Sequence, residues 1–434
     1  MCIYNRYKKE FLQSDILGRK LKVLHNYKPF FKRGPLTERL KCSEYFEENY
    51  IFDKNERVTR KFDVKSNISL TCENIKKRRY FSPIPLSKEE KDFPLAYSYL
   101  VYTEYEFIEL MLSLIYQPQN VYCFSIDGKQ SNEFKMKIFS LSFCFDNVFV
   151  SDKEYKINSQ GLHYSTSHRE CLNKIRNYKW KYAFLLQNHD FPLKTNKELV
   201  KILTKFNGTS DFKAGKSDKN RLHRESDWTF GGLKIFQNPS SIDKKILKQE
   251  IKIAKGYSEI TVSRQALDYM WEKLDLNVYQ ENFDKYHKFG NDELFWSILF
   301  SNYEILKIPG TLPSHCINKK SSLVHYTRFS DWAYTHLPRY QCPSIAKRHS
   351  ICIMGVEYLK TLEENKFLFG NKFMDSTDAG AVDCWSERLF NRTYYPENYK
   401  EIDTSVYDDR IQINFQKYLE SSKDISGFNC DLKY

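Results

Sequence analysis

Asp127 is the first residue whose position suggests chemistry, because it follows directly after the apolar run 120–126 (NVYCFSI) and precedes Gly128. A run of this composition predicts a buried strand. Ligands of open α/β sheets gather at the carboxyl ends of the strands, where an acid can hold a ribose hydroxyl or the edge of a base. An Asp before Gly is equally typical of a turn, and the sequence leaves both interpretations open.

Several motifs for binding phosphates and metals are absent from the chain. It contains no G-x-G-x-x-G, no P-loop and no Asp-x-Asp. Dinucleotide binding and P-loop NTP chemistry therefore lose their usual support. Because many sugar-nucleotide transferases hold a divalent metal on an Asp-x-Asp pair, a metal-dependent transferase is also less well supported.

The eleven cysteines are scattered singly, at positions 2, 42, 72, 123, 144, 171, 316, 342, 352, 384 and 430. None forms C-x-x-C and no Cys/His cluster has zinc spacing, so a structural metal is not expected. Single cysteines suit buried thiols in a cytosolic protein or long-range disulfides in a secreted one. The N-glycosylation sequons at Asn67, Asn207 and Asn391 favour the secretory route slightly. Composition by itself leaves the compartment open.

The composition is that of a folded protein with a basic surface. The 434 residues are 41% hydrophobic and 16% aromatic, and the net charge is +13. This charge permits anionic partners without choosing among them, and its spread along the chain is typical of a solvated surface. No apolar run approaches 18 residues, and the opening MCIYNRYKKE has no apolar core. Neither a transmembrane helix nor a signal peptide is therefore expected.

The elements that would position Asp127 follow an α/β pattern. A strand at 95–102, a helix at 104–116 and a strand at 120–126 form a β–α–β unit, which predicts a parallel sheet. Further strands are predicted at 148–150, 182–187 and 260–262, and further helices at 167–175, 196–206, from 263 and from about 292. Residues 208–228 predict a polar, basic loop.

Composition also divides the chain into three parts. Residues 1–90 are charged and irregular and are interpreted as an N-terminal stem-like region. Residues 91–400 hold the α/β pattern and predict one catalytic domain. Residues 401–434 predict a polar C-terminal tail.

The run 95–129 (LAYSYLVYTEYEFIELMLSLIYQPQNVYCFSIDGK) resembles the first β–α–β unit of the core-2/I-branching β-1,6-N-acetylglucosaminyltransferases, the family 14 glycosyltransferases. Seven more fragments are similar to that family, in the same order and with nearly constant spacing, at 147–155, 180–200, 261–270, 291–300, 328–334, 349–355 and 368–373. The resemblance covers about residues 42 to 390.

The resemblance implies a glycosyltransferase-A type fold, with a mixed, mostly parallel central sheet flanked by helices. It implies an inverting transfer of N-acetylglucosamine from UDP-N-acetylglucosamine to a 6-hydroxyl of a glycoprotein O-glycan. No metal cofactor is implied, and the missing Asp-x-Asp agrees with that.

The resemblance also assigns catalytic and donor-binding residues. Glu293, in NDELFW, matches the family's catalytic base, and Lys372, in GNKF, matches a lysine that supports the UDP diphosphate. The family has an arginine 23 residues before that lysine. The same count reaches His349 here, with Arg348 immediately before it, so the second cation is either Arg348 or a protonated His349. Leu100 and Asp127 match positions around the uridine.

The residues that the resemblance assigns to acceptor binding include an aromatic pair that would flank the sugar. Aromatic rings pack against the apolar face of a pyranose, and a tyrosine hydroxyl adds a directional hydrogen bond. The matching positions are Trp332, Tyr334, Asp211, Lys219 and Arg221, with Arg224 as an alternative to Arg221.

Eight cysteines match family positions at or next to their expected places. The implied disulfides are Cys42–Cys384, Cys72–Cys144, Cys123–Cys171 and Cys342–Cys352, which leaves Cys2, Cys316 and Cys430 over. This pattern implies an oxidising Golgi lumen. An N-terminal transmembrane helix anchors the type II membrane proteins of this family, and membrane association is expected only through such an anchor. No such helix is seen in this sequence, so either the start of the chain is missing from the sequence or the protein is not retained like its relatives. A homodimer is also considered.

Two other functions are weighed. A protein O-xylosyltransferase-like enzyme is one, although the extra C-terminal domain of such enzymes is not seen. A catalytically weak glycan-binding relative is the other, because of His349. Nucleic-acid binding is not expected, since no groove-reading motif is present.

Overall fold

The computed structural model describes residues 29–53, 57–60, 68–285, 288–333 and 341–431. Its central sheet has five strands in the order β3-β2-β1-β4-β8. They are β1 (Leu95–Val101), β2 (Val121–Ile126), β3 (Val148–Val150), β4 (Tyr182–Gln187) and β8 (Thr261–Ser263). The first four are mutually parallel, and β8 runs antiparallel to β4. The predicted mixed, mostly parallel sheet is confirmed.

The helices pack around this sheet and form the connections between its strands. The α-helices of the described residues are α1 (Cys72–Arg78), α2 (Lys88–Asp92), α3 (Tyr105–Ile115), α4 (Asn132–Cys144), α5 (Tyr164–Lys174), α6 (Asn196–Phe206), α7 (Lys244–Leu247), α8 (Arg264–Lys273), α9 (Asn277–Asp284), α10 (Asp292–Phe300), α11 (Tyr303–Leu306), α12 (Leu359–Glu363), α13 (Asp375–Tyr394) and α14 (Ile411–Ser421). The architecture is that of a glycosyltransferase-A type α/β fold.

Every residue of strand β1 is buried. Because side chains alternate across a strand, both of its faces must be covered. Tyr97 and Tyr99 belong to one apolar cluster, whereas Ala96 belongs to a second cluster. Tyr97 stacks on Tyr122 with ring centroids 5.1 Å apart and contacts Phe184 at 5.0 Å. Two cores therefore cover the sheet, one on each face.

Short strands extend the structure beyond the central sheet. β5 (Phe191–Pro192), β12 (Phe369–Asn371) and β9 (Arg328–Ser330) form a three-stranded sheet in that order. β6 (Gly215–Lys216) pairs with β7 (Ala254–Lys255), and β10 (Lys347–Arg348) pairs with β11 (Ile351–Cys352). Since β5 starts four residues after β4 ends, the small sheet lies next to the carboxyl edge of the central one.

The segments before residue 91 and after residue 400 pack onto this body. Arg60 pairs with the buried carboxylates of Asp375 (2.9 Å) and Asp383 (2.8 Å) in α13. In α14, Ile411 and Phe415 belong to the second apolar cluster. The predicted division at residues 90 and 400 stays a prediction.

Five disulfides are present in the described residues. The four implied pairs, Cys42–Cys384, Cys72–Cys144, Cys123–Cys171 and Cys342–Cys352, are all formed. The expectation that Cys316 and Cys430 are left over is wrong, because they form the fifth bridge. The chain after α14 folds back onto the second cluster and brings the two thiols together, 114 residues apart in sequence. Cys2 lies outside the described residues.

Two further expectations concern membrane-spanning helices and glycosylation sequons. In the described part of the chain, no helix is both long and apolar enough to cross a bilayer. Asn207 is exposed at the carboxyl end of α6, whereas Asn391 is half-buried within α13. Asn67 lies outside the described residues. Glycosylation at these sequons stays a prediction.

Candidate active site

The carboxyl ends of β1, β2 and β4 are joined by polar contacts. The side-chain oxygen of Asn188 accepts hydrogen bonds from the backbone N–H groups of Tyr102 (2.8 Å) and Thr103 (3.1 Å). The Asp127 N–H donates to the carbonyl of Val101 at 3.0 Å. The strand ends therefore form one fixed edge, as expected for a ligand site in a parallel sheet.

Asp127 and Leu100 lie at this edge. The Asp127 carboxylate accepts hydrogen bonds from the backbone N–H of Lys129 (3.1 Å) and Ile157 (3.3 Å), and it pairs with the Lys129 ammonium at 3.2 Å. One carboxylate oxygen of Asp127 therefore has the local backbone contact that is typical of an Asp in a turn before Gly. Leu100 is buried but belongs to neither apolar cluster of the described residues. The donor-binding roles of both residues stay predictions.

Lys372 follows directly after β12, which is held between β5 and β9. Burial lowers the pKa of its ammonium to about 8, and repulsion from Arg328 and Arg348 acts in the same direction. Asp190 and Glu259 act in the opposite direction and offset this cluster of cations only in part, since the pKa stays lowered. Because the cations lie where the strand ends gather, the arrangement suits an anion such as a diphosphate.

The β10–β11 hairpin explains the choice between Arg348 and His349. Arg348 pairs with Ile351 across the hairpin, and the two residues between them, His349 and Ser350, have φ values of 51° and 62°. A two-residue turn with both residues in this region matches the twist of a hairpin. Arg348 is the last residue of β10, whereas His349 stands at the exposed tip.

Arg348 and His349 differ in how readily they carry a positive charge. Both residues interact electrostatically with Lys372. Burial, followed by Lys372 and Arg348, lowers the pKa of the His349 imidazole, which disfavours the charged form of this ring. A guanidinium keeps its charge. The geometry therefore favours Arg348 over His349 as the second cation, and the donor-binding role of both residues stays a prediction.

A buried ion group beneath Lys372 was missed by sequence reasoning. The Arg328 guanidinium contacts Glu259 at 2.6 Å and Asp190 at 3.5 Å, and the Asn371 amide donates to Asp190 at 2.8 Å. These contacts join β9 and β12 to the loop after β4. The one available signal was the position of Asp190, three residues after a predicted strand end.

Glu293 is the second residue of α10, and its side chain is 29% exposed. One carboxylate oxygen contacts Arg221 at 2.8 Å and Lys255 at 3.1 Å. Arg221 also donates to the carbonyl of Gly290 at 2.9 Å, which fixes the guanidinium against the start of the helix. The carboxylate is thus accessible and oriented, as a general base must be.

The predicted acceptor residues separate into those near Glu293 and those that point elsewhere. Arg221 contacts Glu293 directly. Lys219 is 74% exposed and pairs with Glu250 at 2.7 Å, and Arg224 donates to Asn220 at 2.6 Å. Of the basic residues predicted to bind the acceptor, Arg221 is therefore the one that the structure brings to the Glu293 carboxylate.

The structure contradicts the predicted acceptor-binding role of Asp211. It has no exposed surface, and its carboxylate accepts from the backbone N–H groups of Tyr326 and Thr327, both at 2.8 Å. It also pairs with the buried guanidinium of Arg410 at 3.1 Å. A carboxylate satisfied in this way cannot reach an acceptor sugar, so Asp211 anchors the segment before α14 instead.

Trp332 contacts both the β10–β11 hairpin and Tyr257. It forms a β-bridge with Ile351 in the hairpin that carries Arg348, and its side chain hydrogen-bonds to Tyr257. Tyr257, which sequence reasoning missed, stands next to Lys213, Arg328 and Glu293 by its contacts and electrostatic interactions. Tyr334 lies outside the described residues. Trp332 thus connects the hairpin that carries Arg348 to Tyr257, whose ring lies beside Lys213.

One group of possible metal ligands occurs in the described ranges, formed by His315, Cys316 and Cys430. Its two thiols are joined in a disulfide and cannot act as thiolate ligands. This group has no role at the site.

Comparison with known proteins points to one family. The family described as Core-2/I-Branching enzyme matches residues 95–363 of this chain, a range that contains Asp127, Glu293 and Arg348. Lys372 lies nine residues beyond it.

Individual relatives agree with this match. A human protein named beta-1,3-galactosyl-O-glycosyl-glycoprotein beta-1,6-N-acetylglucosaminyltransferase is 28% identical over 74% of this chain and 76% of its own length. Proteins with the same name from Bovine herpesvirus 4 (29%, over 76% and 75%) and, as number 4, from Danio rerio (28%, over 75% and 76%) are also similar.

Proposed function

This chain belongs to the Core-2/I-branching enzyme family of glycosyltransferases, and from that premise we propose that it transfers N-acetylglucosamine from UDP-N-acetylglucosamine to a 6-hydroxyl of an O-glycan, with inversion. The names of its relatives support β-1,6-N-acetylglucosaminyl transfer to O-glycans bearing β-1,3-linked galactose. The observation that carries the proposal is the accessible Glu293 carboxylate, which interacts electrostatically with Tyr257.

In the proposed reaction, Glu293 acts as general base. The acceptor 6-oxygen attacks the anomeric carbon of the donor sugar as the bond from that carbon to the diphosphate breaks, and the hydroxyl proton passes to Glu293. Attack from the face opposite the leaving group inverts the anomeric centre. Arg221 and Lys255 fix the carboxylate and leave its second oxygen to face the hydroxyl.

Lys372 and Arg348 are proposed to stabilise the departing UDP. Negative charge grows on the diphosphate as the glycosidic bond breaks, and preorganised cations stabilise that charge in the transition state. The two cations lie within electrostatic reach of each other, with Arg328 buried nearby. We propose that they replace the metal ion that an Asp-x-Asp pair would hold, so activity should survive excess EDTA.

The proposed location is the Golgi lumen, where an oxidising environment allows five disulfides to form. A type II membrane orientation, as in the Golgi enzymes of this family, belongs to the same proposal.

The test is transfer from UDP-N-acetylglucosamine to galactosyl-β1,3-N-acetylgalactosamine, with the product linkage read by NMR. Glu293→Gln should lower turnover about 100-fold or more, the usual scale for a general base. UDP affinity should stay within about twofold, because the acids that act on the Lys372 ammonium are Asp190 and Glu259 rather than Glu293. The matched control is Glu250→Gln, which makes the same change at an exposed acid paired with Lys219.

Turnover of Glu293→Gln within a few-fold of the parent would reject the assigned base. Transfer from UDP-xylose instead of UDP-N-acetylglucosamine would favour the xylosyltransferase alternative. UDP binding without any transfer would favour the glycan-binding one.

A further inference from the structure

Three cations surround the Glu293 carboxylate. Arg221 and Lys255 contact the same oxygen at 2.8 Å and 3.1 Å. Lys213 interacts electrostatically with both Lys255 and Glu293, and its ammonium lies 5.1 Å from the centre of the Tyr257 ring. One carboxylate thus faces three positive charges at the place where the acceptor must bind.

The backbone brings the two lysines together. Gly215, two residues after Lys213, pairs with Lys255 in the β6–β7 ladder. Gly256 packs so closely that an added Cβ would lie 2.4 Å from the Lys213 carbonyl, and its N–H donates to the Glu293 carbonyl at 2.8 Å. The fold therefore brings the backbones of Lys213, Lys255 and Glu293 close together.

Neighbouring acids do not balance the excess of positive charge around Glu293. Within the described ranges, Glu259 is fully buried and pairs with Arg328, and Glu250 pairs with Lys219. Asp292, next to Glu293, is buried, and burial followed by repulsion from Glu293 raises its pKa to about 7, which reduces its negative charge at neutral pH. Arg221 is committed to Glu293 and to the Gly290 carbonyl. Because Arg221 and Glu293 offset each other, the positive charges of Lys213 and Lys255 are not fully balanced by these acids. Burial and repulsion from Lys255 lower the pKa of Lys213, a strain that a bound anion would relieve.

Resting on the transferase activity proposed above, we propose that the preferred acceptor is an anionic O-glycan, whose carboxylate or sulfate group binds to Lys213 and Lys255 while its 6-hydroxyl faces Glu293. An ammonium donates charge-assisted hydrogen bonds to either group. Tyr257 contributes a ring beside Lys213 against which a sugar can pack.

The test compares three acceptors with the full chain and UDP-N-acetylglucosamine. They are galactosyl-β1,3-N-acetylgalactosamine, the same disaccharide with sulfate on galactose, and the same with sialic acid on galactose. At least one anionic acceptor should have a kcat/KM about tenfold above the neutral one, the scale of a charge-assisted hydrogen bond. The sulfate and sialic acid arms distinguish the two sources of charge.

Variants connect the preference to the two lysines. In Lys213→Gln/Lys255→Gln, the ratio of anionic to neutral kcat/KM should fall below about threefold, and in the matched Lys→Arg pair it should persist, since guanidinium keeps the charge. Lys244→Gln/Lys245→Gln removes two exposed charges on α7 and should keep the full ratio. If Lys213→Gln/Lys255→Gln does not fold, the same ratio is measured for Lys213→Gln and for Lys255→Gln separately.

Equal or better use of the neutral acceptor would overturn the inference while leaving the transferase activity intact. If no acceptor receives sugar, the proposed activity fails, and calorimetric binding of the three disaccharides decides the inference separately. Tighter binding of an anionic disaccharide that is lost in Lys213→Gln/Lys255→Gln would support it. Equal binding of all three would overturn it.

Discussion

Raising the pH from 7 to 9 should weaken UDP binding, because Lys372 loses its proton in this range. Burial, Arg328 and Arg348 lower the pKa of Lys372 to about 8, while Asp190 and Glu259 act in the opposite direction. The ammonium is charged below that pKa and neutral above it. The terminal phosphate of UDP is already ionised at pH 7, since such groups titrate near pH 6.

The size of the effect follows from the pKa. A group with a pKa of 8 is about 90% protonated at pH 7 and about 10% at pH 9, so UDP affinity should fall about tenfold, or about 1.4 kcal/mol. His349 does not account for this loss, because burial, Lys372 and Arg348 lower its pKa, which moves its titration away from the range between pH 7 and 9. Lys372→Arg should bind UDP with little pH dependence, since a guanidinium stays charged.

Isothermal titration calorimetry with UDP at pH 7, 8 and 9 measures this dependence for the parent and for Lys372→Arg. Uridine, which lacks the diphosphate, is the control ligand and should bind equally at each pH. A UDP dissociation constant that stays within twofold between pH 7 and 9 would refute the reasoning. The same decline in Lys372→Arg would assign the titration to another group.

Three further outcomes are expected. Arg348→Ala should lower turnover about 100-fold by removing one preorganised charge, whereas His349→Ala should change it less than about threefold. Asp211→Ala should reduce the free energy of unfolding in urea by about 3–5 kcal/mol, because it leaves the Arg410 guanidinium buried and unpaired. The exposed Asp218→Ala is its control. Replacing both Cys316 and Cys430 by Ser should cost about 2–4 kcal/mol in the same measurement, while leaving UDP affinity unchanged.

Local sequence pattern predicted several elements of this fold. The strand at 182–187 and the helix at 196–206 were predicted with the bounds that the structure shows. Their signals are local: a continuous apolar run marks a buried strand, and Thr195 with Glu198 forms a capping box at the start of the helix. Such signals act over a few residues, so the sequence carries them in full.

The family resemblance, read from fragments in order, placed Glu293, Lys372 and four disulfides. These depend on spacing that a chain of this family keeps, and the structure brings Glu293 beside Arg221 and Lys372 beside Arg348. It could not decide between Arg348 and His349. A count along the chain does not reveal which residue ends a strand and which stands at the tip of a hairpin.

Tertiary structure alone decided which polar residues are buried and which charges meet. Asp211 faces Arg410 across about 200 positions of sequence, and Cys316 reaches Cys430 only because α14 packs back onto the core. Lys213, Lys255 and Glu293 come together through a two-stranded ladder and a close-packed glycine. Burial and charge proximity depend on distances in space, and those are fixed by the packing of the whole chain rather than by any local run of residues.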